Sequence, residues 1–463
     1  MRSFKKGRAV AASFVGLSLA LSLAACSSDD DDNTPGDAPK SGDAACAAYE
    51  QYGDLSGKTV SVYTSIVTPE DQPQIDSYKP FEACTGATID YEGSKEFEAQ
   101  LLVKIKSGAA PDIAYIPQPG LLATIAKDYP DALVPAGKLA TENVEKYYAP
   151  SWKEYGSVDG VFYANPVGAN VKSFVWYSPK QFKANGYEVP TTWDELIALS
   201  DKIVADHGAD GAKPWCAGIG SGDATGWPAT DWLEDLMLRT AGGEAYDKWL
   251  TNDLAFDSPE VTTALGKVGE ILKNPDYVNG GYGDVASIAT TTFQDGGLPI
   301  VAENPLCYMH RQASFYAANW PEGTEVSEDG DAFAFYLPGL TADSRPLLGG
   351  GEFAAAFSDR PEVAAFQAFL ASPEWNNAKA KATPAGGWVG ANSELDPANL
   401  VSPIDRLAAE LLGDTSQEFR FDGSDLMPAA VGAGTFWTEM TKWLAEDKSD
   451  ADVLKAIQAS WPK

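Results

Sequence analysis

The pattern of apolar and polar positions between residues 58 and 117 predicts an α/β sheet. Residues with the spacing of β-strands occupy three runs, 58–66, 87–93 and 111–117. Helical patterns at 69–83 and 97–107 separate these runs, and Gly86 stands where a helix C-cap is expected. This order of strand, helix, strand, helix, strand indicates a parallel sheet whose faces are both covered.

A sheet of this kind also predicts where a ligand binds. Ligand crevices of open α/β sheets lie outside the carboxyl ends of the strands. The segments that follow the three predicted strands are residues 64–70, 93–96 and 117–120. We therefore expect binding residues in these three segments.

A second unit of the chain is predicted to start near Val167. Residues 171–178 read as a strand, and Thr192 followed by Glu195 has the spacing of a capping box at a helix start. Five later segments have the periodicity of amphipathic helices: residues 230–240, 258–273, 361–371, 402–412 and 451–461.

The N-terminal segment has the pattern of an export signal. Four basic residues lie within the first 8 positions, and an apolar run covers residues 9–25. An uncut membrane anchor is the alternative interpretation. Residues 23–26, Leu-Ala-Ala-Cys, resemble a lipobox, so residues 1–25 are predicted to be removed and Cys26 to carry the lipid. This places the protein at the outer face of the cytoplasmic membrane, and residues 26–45, rich in Asp, Ser and Pro, read as a flexible tether.

Composition narrows the possible functions. The chain has 66 acidic and 34 basic residues, a formal charge of −32, which becomes −36 after loss of the signal. Such a charge disfavours binding to nucleic acid. Only 2 histidines are present, so no metal or other cofactor is expected, and 44% hydrophobic residues exclude global disorder. The 13 tryptophans are more than packing alone requires.

The 5 cysteines are explained by one lipid attachment and two disulfides. After Cys26 is assigned to lipid, an even number remains in an exported chain, which favours disulfide bonding of Cys46, Cys84, Cys216 and Cys307. Three pairings are possible on this evidence, and four buried free thiols are the alternative. A zinc site is disfavoured because no pair has CxxC spacing.

Several motifs resemble one known family in the same order along the chain. Ser107-Gly108-x-x-Pro111-Asp112-Ile113 and Pro190-Thr-Thr-Trp193-Asp-Glu-Leu196 are similar to signatures of the extracellular sugar-binding proteins of ABC importers, which include maltose-binding protein. Further similar blocks lie at residues 81–86, 163–177, 349–352 and 425–437. The details of these blocks look most like the α-glucoside-binding branch of that family.

The resemblance implies a periplasmic-binding-protein-like fold of type II, with two α/β lobes joined by hinge strands and a ligand cleft between them. Lobe 1 would comprise residues 47–166 and 349–392, and lobe 2 residues 170–345 and 393–463, with crossings near residues 166, 346–350 and 390–396. Two disulfides, Cys46–Cys84 and Cys216–Cys307, would then each stay within one lobe. A bridge between the lobes would lock the hinge that closes on ligand.

The candidate ligand residues lie at strand ends and at lobe crossings. Sugars stack on aromatic rings, and their hydroxyl groups pair with carboxylates and amides. The candidates are Ser94, Glu96, Gln118, Asn170, Asp223, Trp227, Gly351, Glu352, Trp388 and Trp437. Trp437 matches the family position that stacks a glucosyl ring. Structural roles are the alternative for each of them: a turn amide, a first-turn acid or a core tryptophan.

The expected function is that of a monomeric, non-enzymatic receptor that delivers a sugar, an α-glucoside in particular, to the permease of an ABC importer. A secreted glycoside hydrolase is the alternative, since the many acidic residues could supply the two carboxylates that such an enzyme needs. No catalytic motif stands out, however. A peptide, a polyamine or a glycerol phosphate is the alternative solute for the same fold.

Overall fold

The computed structural model describes residues 44–414 and 416–462. The β-strands in these ranges are β1 (Thr59–Thr64), β2 (Thr88–Gly93), β3 (Ile113–Ile116), β4 (Ser157–Val158), β5 (Val161–Phe162), β6 (Ala164–Val171), β7 (Phe174–Tyr177), β8 (Lys213–Trp215), β9 (Cys307–Arg311), β10 (Phe333–Tyr336), β11 (Leu347–Ala356) and β12 (Phe419–Phe421).

The α-helices surround these strands. They are α1 (Asp71–Asp76), α2 (Lys79–Thr85), α3 (Phe97–Lys106), α4 (Pro119–Asp128), α5 (Lys138–Tyr147), α6 (Pro150–Tyr155), α7 (Pro179–Asn185), α8 (Trp193–His207), α9 (Trp227–Ala241), α10 (Gly243–Leu250), α11 (Pro259–Leu272), α12 (Ser287–Thr290), α13 (Pro361–Leu370), α14 (Pro373–Ala382), α15 (Pro403–Gly413), α16 (Gly423–Leu426), α17 (Trp437–Ala445) and α18 (Asp450–Ala459). Short 3-10 helices cover Ala44–Tyr52, Gly208–Asp210, Gly222–Ala224, Leu298–Val301, Ser314–Asn319 and Pro397–Asn399, and a π-helical turn covers Val431–Phe436.

The first sheet contains the three strands that the sequence predicts, and its order is β12-β11-β3-β1-β2 with β6 paired to β11. Strand β1 runs parallel to both β2 and β3, which confirms the predicted parallel arrangement of these three strands. The sheet as a whole is mixed, because β11 runs antiparallel to β3 and to β6. The late strand β11 thus pairs with three strands, β12, β3 and β6, of a sheet begun by the N-terminal segment.

The second sheet has the order β10-β7-β9-β8. The chain passes from the first sheet to the second between β6 and β7, and it returns between β10 and β11. Pro166, near which the first lobe crossing is predicted, lies inside β6, which stays paired with β11 as far as Val171. The change of sheet therefore falls on residues 172 and 173. The predicted lobe ranges stay a prediction.

One predicted helix start is confirmed by the structure, and one predicted helix is divided in two. Helix α8 begins after Thr192, whose side chain accepts from the Glu195 backbone in a complete capping box, as predicted. The single helix expected at 69–83 is instead two short helices, α1 and α2. Pro80 lies at the start of α2, where its ring excludes the continuous helical path from α1.

The two disulfides join Cys46 to Cys84 and Cys216 to Cys307, the pairing that the resemblance favoured, with Cα–Cα distances of 5.4 and 5.5 Å. The first one ties the 3-10 helix Ala44–Tyr52 to α2. The described part of the chain begins with this helix, and the tether predicted for residues 26–45 stays a prediction. The predicted signal peptide and Cys26 lie outside the described residues. Within the described ranges, no helix combines the length and the apolar character needed to cross a membrane.

Candidate functional site

A cleft of about 920 Å³, part of it open to solvent, lies where the two sheets meet. The segments after the first-sheet strands line one side, and residues between 221 and 315 line another. The lining residues are Ser65, Ile66, Val67, Glu70, Lys95, Glu98, Pro117, Gln118, Asn170, Lys172, Ser221, Ala224, Trp227, Phe293, Gln294, Phe315, Gly351, Glu352, Asp422, Asp425 and Trp437.

All three segments that the sheet rule indicates contribute to this cleft. Residues 65–67 and Glu70 follow β1, Lys95 follows β2, and Pro117 with Gln118 follows β3. These strands are parallel, so their carboxyl ends meet at one edge of the sheet. The position of the cleft therefore follows from the order of elements in the first 120 residues.

Most of the predicted ligand residues face this region, and three do not. Gln118, Asn170, Trp227, Gly351, Glu352 and Trp437 line the cleft, and Trp388 lines a smaller chamber beside it. The prediction differs from the structure for Ser94, Glu96 and Asp223, which are not among the lining residues.

The side chains of Asp223 and Ser94 bind backbone groups near the start of α3 instead, where Glu96 is the residue before the helix. The Asp223 carboxylate accepts a hydrogen bond of 2.7 Å from the backbone N–H of Ala99 in the first turn of α3. The Ser94 hydroxyl accepts from the backbone N–H of Glu96, which directly precedes this helix. Such residues satisfy N–H groups that a helix start leaves free. Asp223 thereby connects the loop before α9 to a helix of the first sheet.

Three aromatic rings form one wall of the cleft. The half-buried ring of Trp227 lies edge-on to Phe293 at 5.2 Å and 5.9 Å from Phe315, measured between ring centroids. The other two predicted tryptophans are more enclosed. Trp437 is 2% exposed and its Nε1 donates to the Ser424 hydroxyl, while Trp388 Nε1 donates to a backbone carbonyl. Trp227 therefore offers the most accessible indole face.

Besides Gln294 Oε1, two buried amide oxygens in the cleft accept no hydrogen bond from the described part of the protein. They are Gln118 Oε1 and Asn170 Oδ1, on side chains that are 4% and 6% exposed. The Gln118 amide nitrogen donates to Glu98 at 3.1 Å, which fixes its oxygen away from that carboxylate. Unpaired buried acceptors are costly, and a ligand with hydroxyl groups would satisfy them.

The carboxyl groups of the cleft differ in protonation. Burial raises the pKa of Glu70 and of Glu98 to about 7, and it also raises the pKa of Glu352. Glu352 lies at a bulge where the register between β11 and β6 shifts, and such bulges redirect a side chain. At neutral pH the cleft thus offers both hydrogen-bond donors and acceptors from carboxyl groups.

Lys172 joins the two sheets through buried ion pairs. Its Nζ donates to Asp422 at 2.7 Å and to Asp231 at 3.1 Å, and it lies 4.8 Å from the centroid of the Trp227 ring. Burial opposes ionisation of Asp422, but the neighbouring Lys172 ammonium lowers its pKa below the usual value. Lys172 thus lines the cleft while its ammonium group is held by two buried carboxylates.

The ion pairs continue along α9. Arg311 binds both Asp231 and Asp235, and Arg239 binds Asp235 at 2.6 Å. Burial raises the pKa of Glu234, which accepts from the backbone N–H groups of residues 423 and 424. Carboxyl oxygens of Asp231, Glu234 and Asp422 lie within 4.8 Å of one another. The Lys172 ammonium group forms ion pairs with two of these three carboxylates and so acts as their counterion.

The lining residues that sequence reasoning missed carry weak local signals. Glu70 and Glu98 lie near predicted strand ends, yet neither was selected among the many acids of the chain. Phe293 and Phe315 belong to a region without a helix or strand pattern. Asp425 stands in a family block and could have been found there.

Replacing Glu98 by glutamine is expected to favour the folded state more at neutral pH than at low pH, when the free energy of unfolding of the variant is compared with that of the wild type. The folded protein keeps Glu98 protonated up to about pH 7, whereas the unfolded chain ionises near the ordinary value of 4.5. Stability from this group therefore falls as pH rises between these values. The free energy of unfolding of Glu98→Gln minus that of the wild type should increase by about 3 kcal/mol from pH 4.5 to pH 8. A constant difference in urea titrations across this range would contradict the assignment.

The comparison with protein families identifies the class of this protein. The chain belongs to the family of bacterial extracellular solute-binding proteins, which matches residues 67–377. It is 39% identical to the alpha-glucosides-binding periplasmic protein AglE of Rhizobium meliloti (strain 1021), over 92% of each chain. It is 37% identical to the osmoprotective compounds-binding protein GgtB of Synechocystis sp. (strain ATCC 27184 / PCC 6803 / Kazusa), over 90% of this chain and 96% of that one.

Solved structures give the same fold. The bacterial solute receptor AcbH, described with an exclusive preference for β-D-galactopyranose, superposes with a TM-score of 0.71 at 17% identity. The alignment covers 87% of this chain and 98% of AcbH. The architecture is therefore that of the periplasmic solute-binding proteins, with two α/β lobes and a cleft between them.

Proposed function

We propose that this protein is the receptor of an ABC importer and that it binds an α-linked glucoside, a disaccharide or a short oligosaccharide, in the cleft described above. The bound sugar is then delivered to the permease subunits of the importer. The proposal includes the lobe ranges 47–166 with 349–392 and 170–345 with 393–463, which close on the ligand through hinge strands.

The observation that carries this proposal is the combination of surfaces in one cleft. An accessible indole face at Trp227 suits the C–H face of a sugar ring. Within the same cleft, the free oxygens of Gln118 and Asn170 suit hydroxyl hydrogens, and the carboxyl groups of Glu70 and Glu98 can donate or accept. A polyhydroxylated neutral ligand meets all these groups at once.

The names of the two relatives give different descriptions of their ligands. AglE is named for α-glucosides, and GgtB for osmoprotective compounds, at nearly equal identity to this chain. A small osmoprotective compound is therefore the second candidate ligand. Both relatives are named as binding proteins, which supports a receptor rather than the alternative of a glycoside hydrolase.

The lipid anchor belongs to the same proposal. Cys26 would carry the lipid at the outer face of the cytoplasmic membrane, and the residues up to about 43 would span the distance to the folded part. Partition of the wild type and of Cys26→Ala between the detergent and aqueous phases of Triton X-114 tests this anchor. An aqueous wild-type protein would contradict it.

Titration calorimetry with maltose, trehalose, sucrose and glycerol glucoside tests the ligand, with lactose as the β-linked control. We expect binding of at least one α-glucoside, a ligand-dependent rise in melting temperature, and no effect of lactose. Chromatography of the sugars after incubation tests the hydrolase alternative. Release of glucose at catalytic rates would overturn the receptor proposal, and so would the absence of heat with every α-glucoside.

A further inference from the structure

Helix α3 is capped by a residue from the opposite side of the cleft. Its own N-cap residue, Glu96, makes no side-chain hydrogen bond to the first turn of the helix. The Asp223 carboxylate accepts instead from the backbone N–H of Ala99 at 2.7 Å. Ala99 is the third residue of α3, and its N–H is one of the two that an N-cap side chain ordinarily binds. Asp223 therefore acts as the N-cap of α3 from a distant segment.

Several other helices obtain this hydrogen bond from the residue that directly precedes them. The hydroxyl groups of Ser178, Thr192 and Ser258 each accept from the backbone N–H three residues further on, at the start of α7, α8 and α11. A cap of this kind is present whenever its own helix is folded. The cap of α3 requires in addition that two distant segments of the chain lie together.

The two segments that this cap joins belong to different hydrophobic cores. Phe97 and Leu101 of α3 pack in the core that contains β3 of the first sheet. Ile219, in the loop before α9, packs in the core that contains β8 and β9 residues of the second sheet. In the same loop, Gly220 forms a β-bridge with Thr292. A hinge motion that separates the two sheets would therefore also separate the cap from its helix.

The turn that presents the carboxylate approaches α3 closely. Gly222 precedes Asp223 and has a φ of +60°, and a Cβ there would lie 2.5 Å from the Lys95 carbonyl oxygen. The turn is closed by its own hydrogen bond, from the Ser221 backbone N–H to the Thr225 hydroxyl at 3.0 Å. Ser221 and Lys95 line the cleft, whereas Asp223 is exposed, so the contact lies at the rim of the cleft.

We propose that Asp223 is a positioning residue for ligand binding, whose carboxylate caps α3 when the cleft closes on its ligand and leaves α3 when the cleft opens. The proposal rests on the proposed function, in which the two sides close on a sugar, and assigns to one residue a preference for the closed form. A carboxylate suits this position because the N-terminus of a helix carries partial positive charge. Glu98, which lines the cleft, precedes Ala99 in α3, so the cap also fixes the segment that carries this carboxyl group.

Titration calorimetry and stopped-flow dissociation of Asp223→Ala test this role, with the sugar among maltose, trehalose, sucrose and glycerol glucoside that the wild type binds most tightly. We expect about fivefold weaker binding, which corresponds to about 1 kcal/mol, mainly through faster dissociation. The free energy of unfolding of the sugar-free protein should stay unchanged, because the open form lacks the cap. Asp223→Asn keeps an acceptor oxygen and should recover part of the affinity.

Thr192→Ala is the matched control, because it removes a cap within one helix at a residue that does not line the cleft. It should lower the free energy of unfolding and leave the affinity for sugar within about twofold. Hydrogen exchange in the first turn of α3 provides an independent measurement. Sugar should slow this exchange more in the wild type than in Asp223→Ala.

Two results would overturn the role of Asp223 while the proposed function stands. One is an affinity and a dissociation rate in Asp223→Ala equal to those of the wild type. The other is a loss of unfolding free energy in the sugar-free variant as large as that of Thr192→Ala, which would show that the cap is present whether or not the cleft is closed. A wild type that binds none of the four sugars would instead overturn the proposed function, and the closing role of Asp223 with it.

Discussion

Replacing Lys172 by methionine is expected to lower the free energy of unfolding by about 3–5 kcal/mol, because it leaves buried carboxylates without their counterion. Lys172 binds Asp422 and Asp231, and all three side chains are at most 8% exposed. Asp231 keeps its pair with Arg311, so most of the loss arises at Asp422. Urea titration monitored by tryptophan fluorescence measures the change.

The loss should depend on pH in a defined direction. In the wild type the pKa of Asp422 is held below its ordinary value of 3.8, so this group adds stability above pH 3.8 and loses it at lower pH. Without Lys172, burial raises that pKa instead, and Asp422 can take up a proton in the folded state. The destabilisation should therefore be largest at pH 7 and above and should shrink toward pH 4.

Two comparisons separate the ion pair from a general effect of losing a lysine. Lys248 forms an exposed pair with Glu244 at 2.7 Å on α10, and Lys248→Met should cost about 0.5 kcal/mol or less. The double variant Lys172→Met with Asp422→Asn removes the unpaired charge and should recover part of the lost stability. Equal small losses for the two lysine variants would show that the buried network contributes no stability.

Replacing Trp227 by alanine is expected to weaken binding of the preferred α-glucoside about 30-fold. The expectation rests on the proposed function and corresponds to about 2 kcal/mol for a central aromatic contact. Trp227 begins α9, and its half-buried ring packs against Phe293 and Phe315 at the cleft wall. Calorimetric titration of the variant with the sugar that binds the wild type measures the loss.

The matched variant Trp227→Phe keeps a ring at the same position. It should bind within about threefold of the wild type, because a phenyl face still stacks on a sugar ring. Both variants need a melting temperature close to that of the wild type for the comparison to hold. Unchanged affinity in Trp227→Ala would exclude this ring as a stacking surface.

Much of the fold could be predicted from local signals in the sequence. The capping box of Thr192 and Glu195 marks the start of α8, and the three strand-like runs near the N-terminus form adjacent parallel strands. Such signals depend on neighbouring residues and can be recognised without knowledge of the tertiary structure. The break between α1 and α2 also had a local cause in Pro80, but the helical pattern on both sides concealed it.

Assignment of individual site residues was less complete, since residue type alone cannot separate contact with ligand from a structural role. Asp223 has the chemistry of a sugar-binding acid, yet its carboxylate accepts from Ala99 and caps a helix 124 residues away. Trp437 and Trp388 border the cavities, but their N–H groups are used inside the protein. No sequence motif surrounds Lys379, and only the tertiary structure places it in the wall of the smaller chamber.

By itself, the sequence determined the order of the first three strands, the resemblance to one family and the edge of the sheet where the cleft lies. The tertiary structure alone decided which side chains meet there. Lys172 and Asp422 are separated by 250 residues, and they come together because the chain changes sheets after β6 and because β12 returns beside β11. The physical reason is that caps and periodicity act between near neighbours, whereas ion pairs, cavities and unpaired acceptors depend on contacts between distant segments.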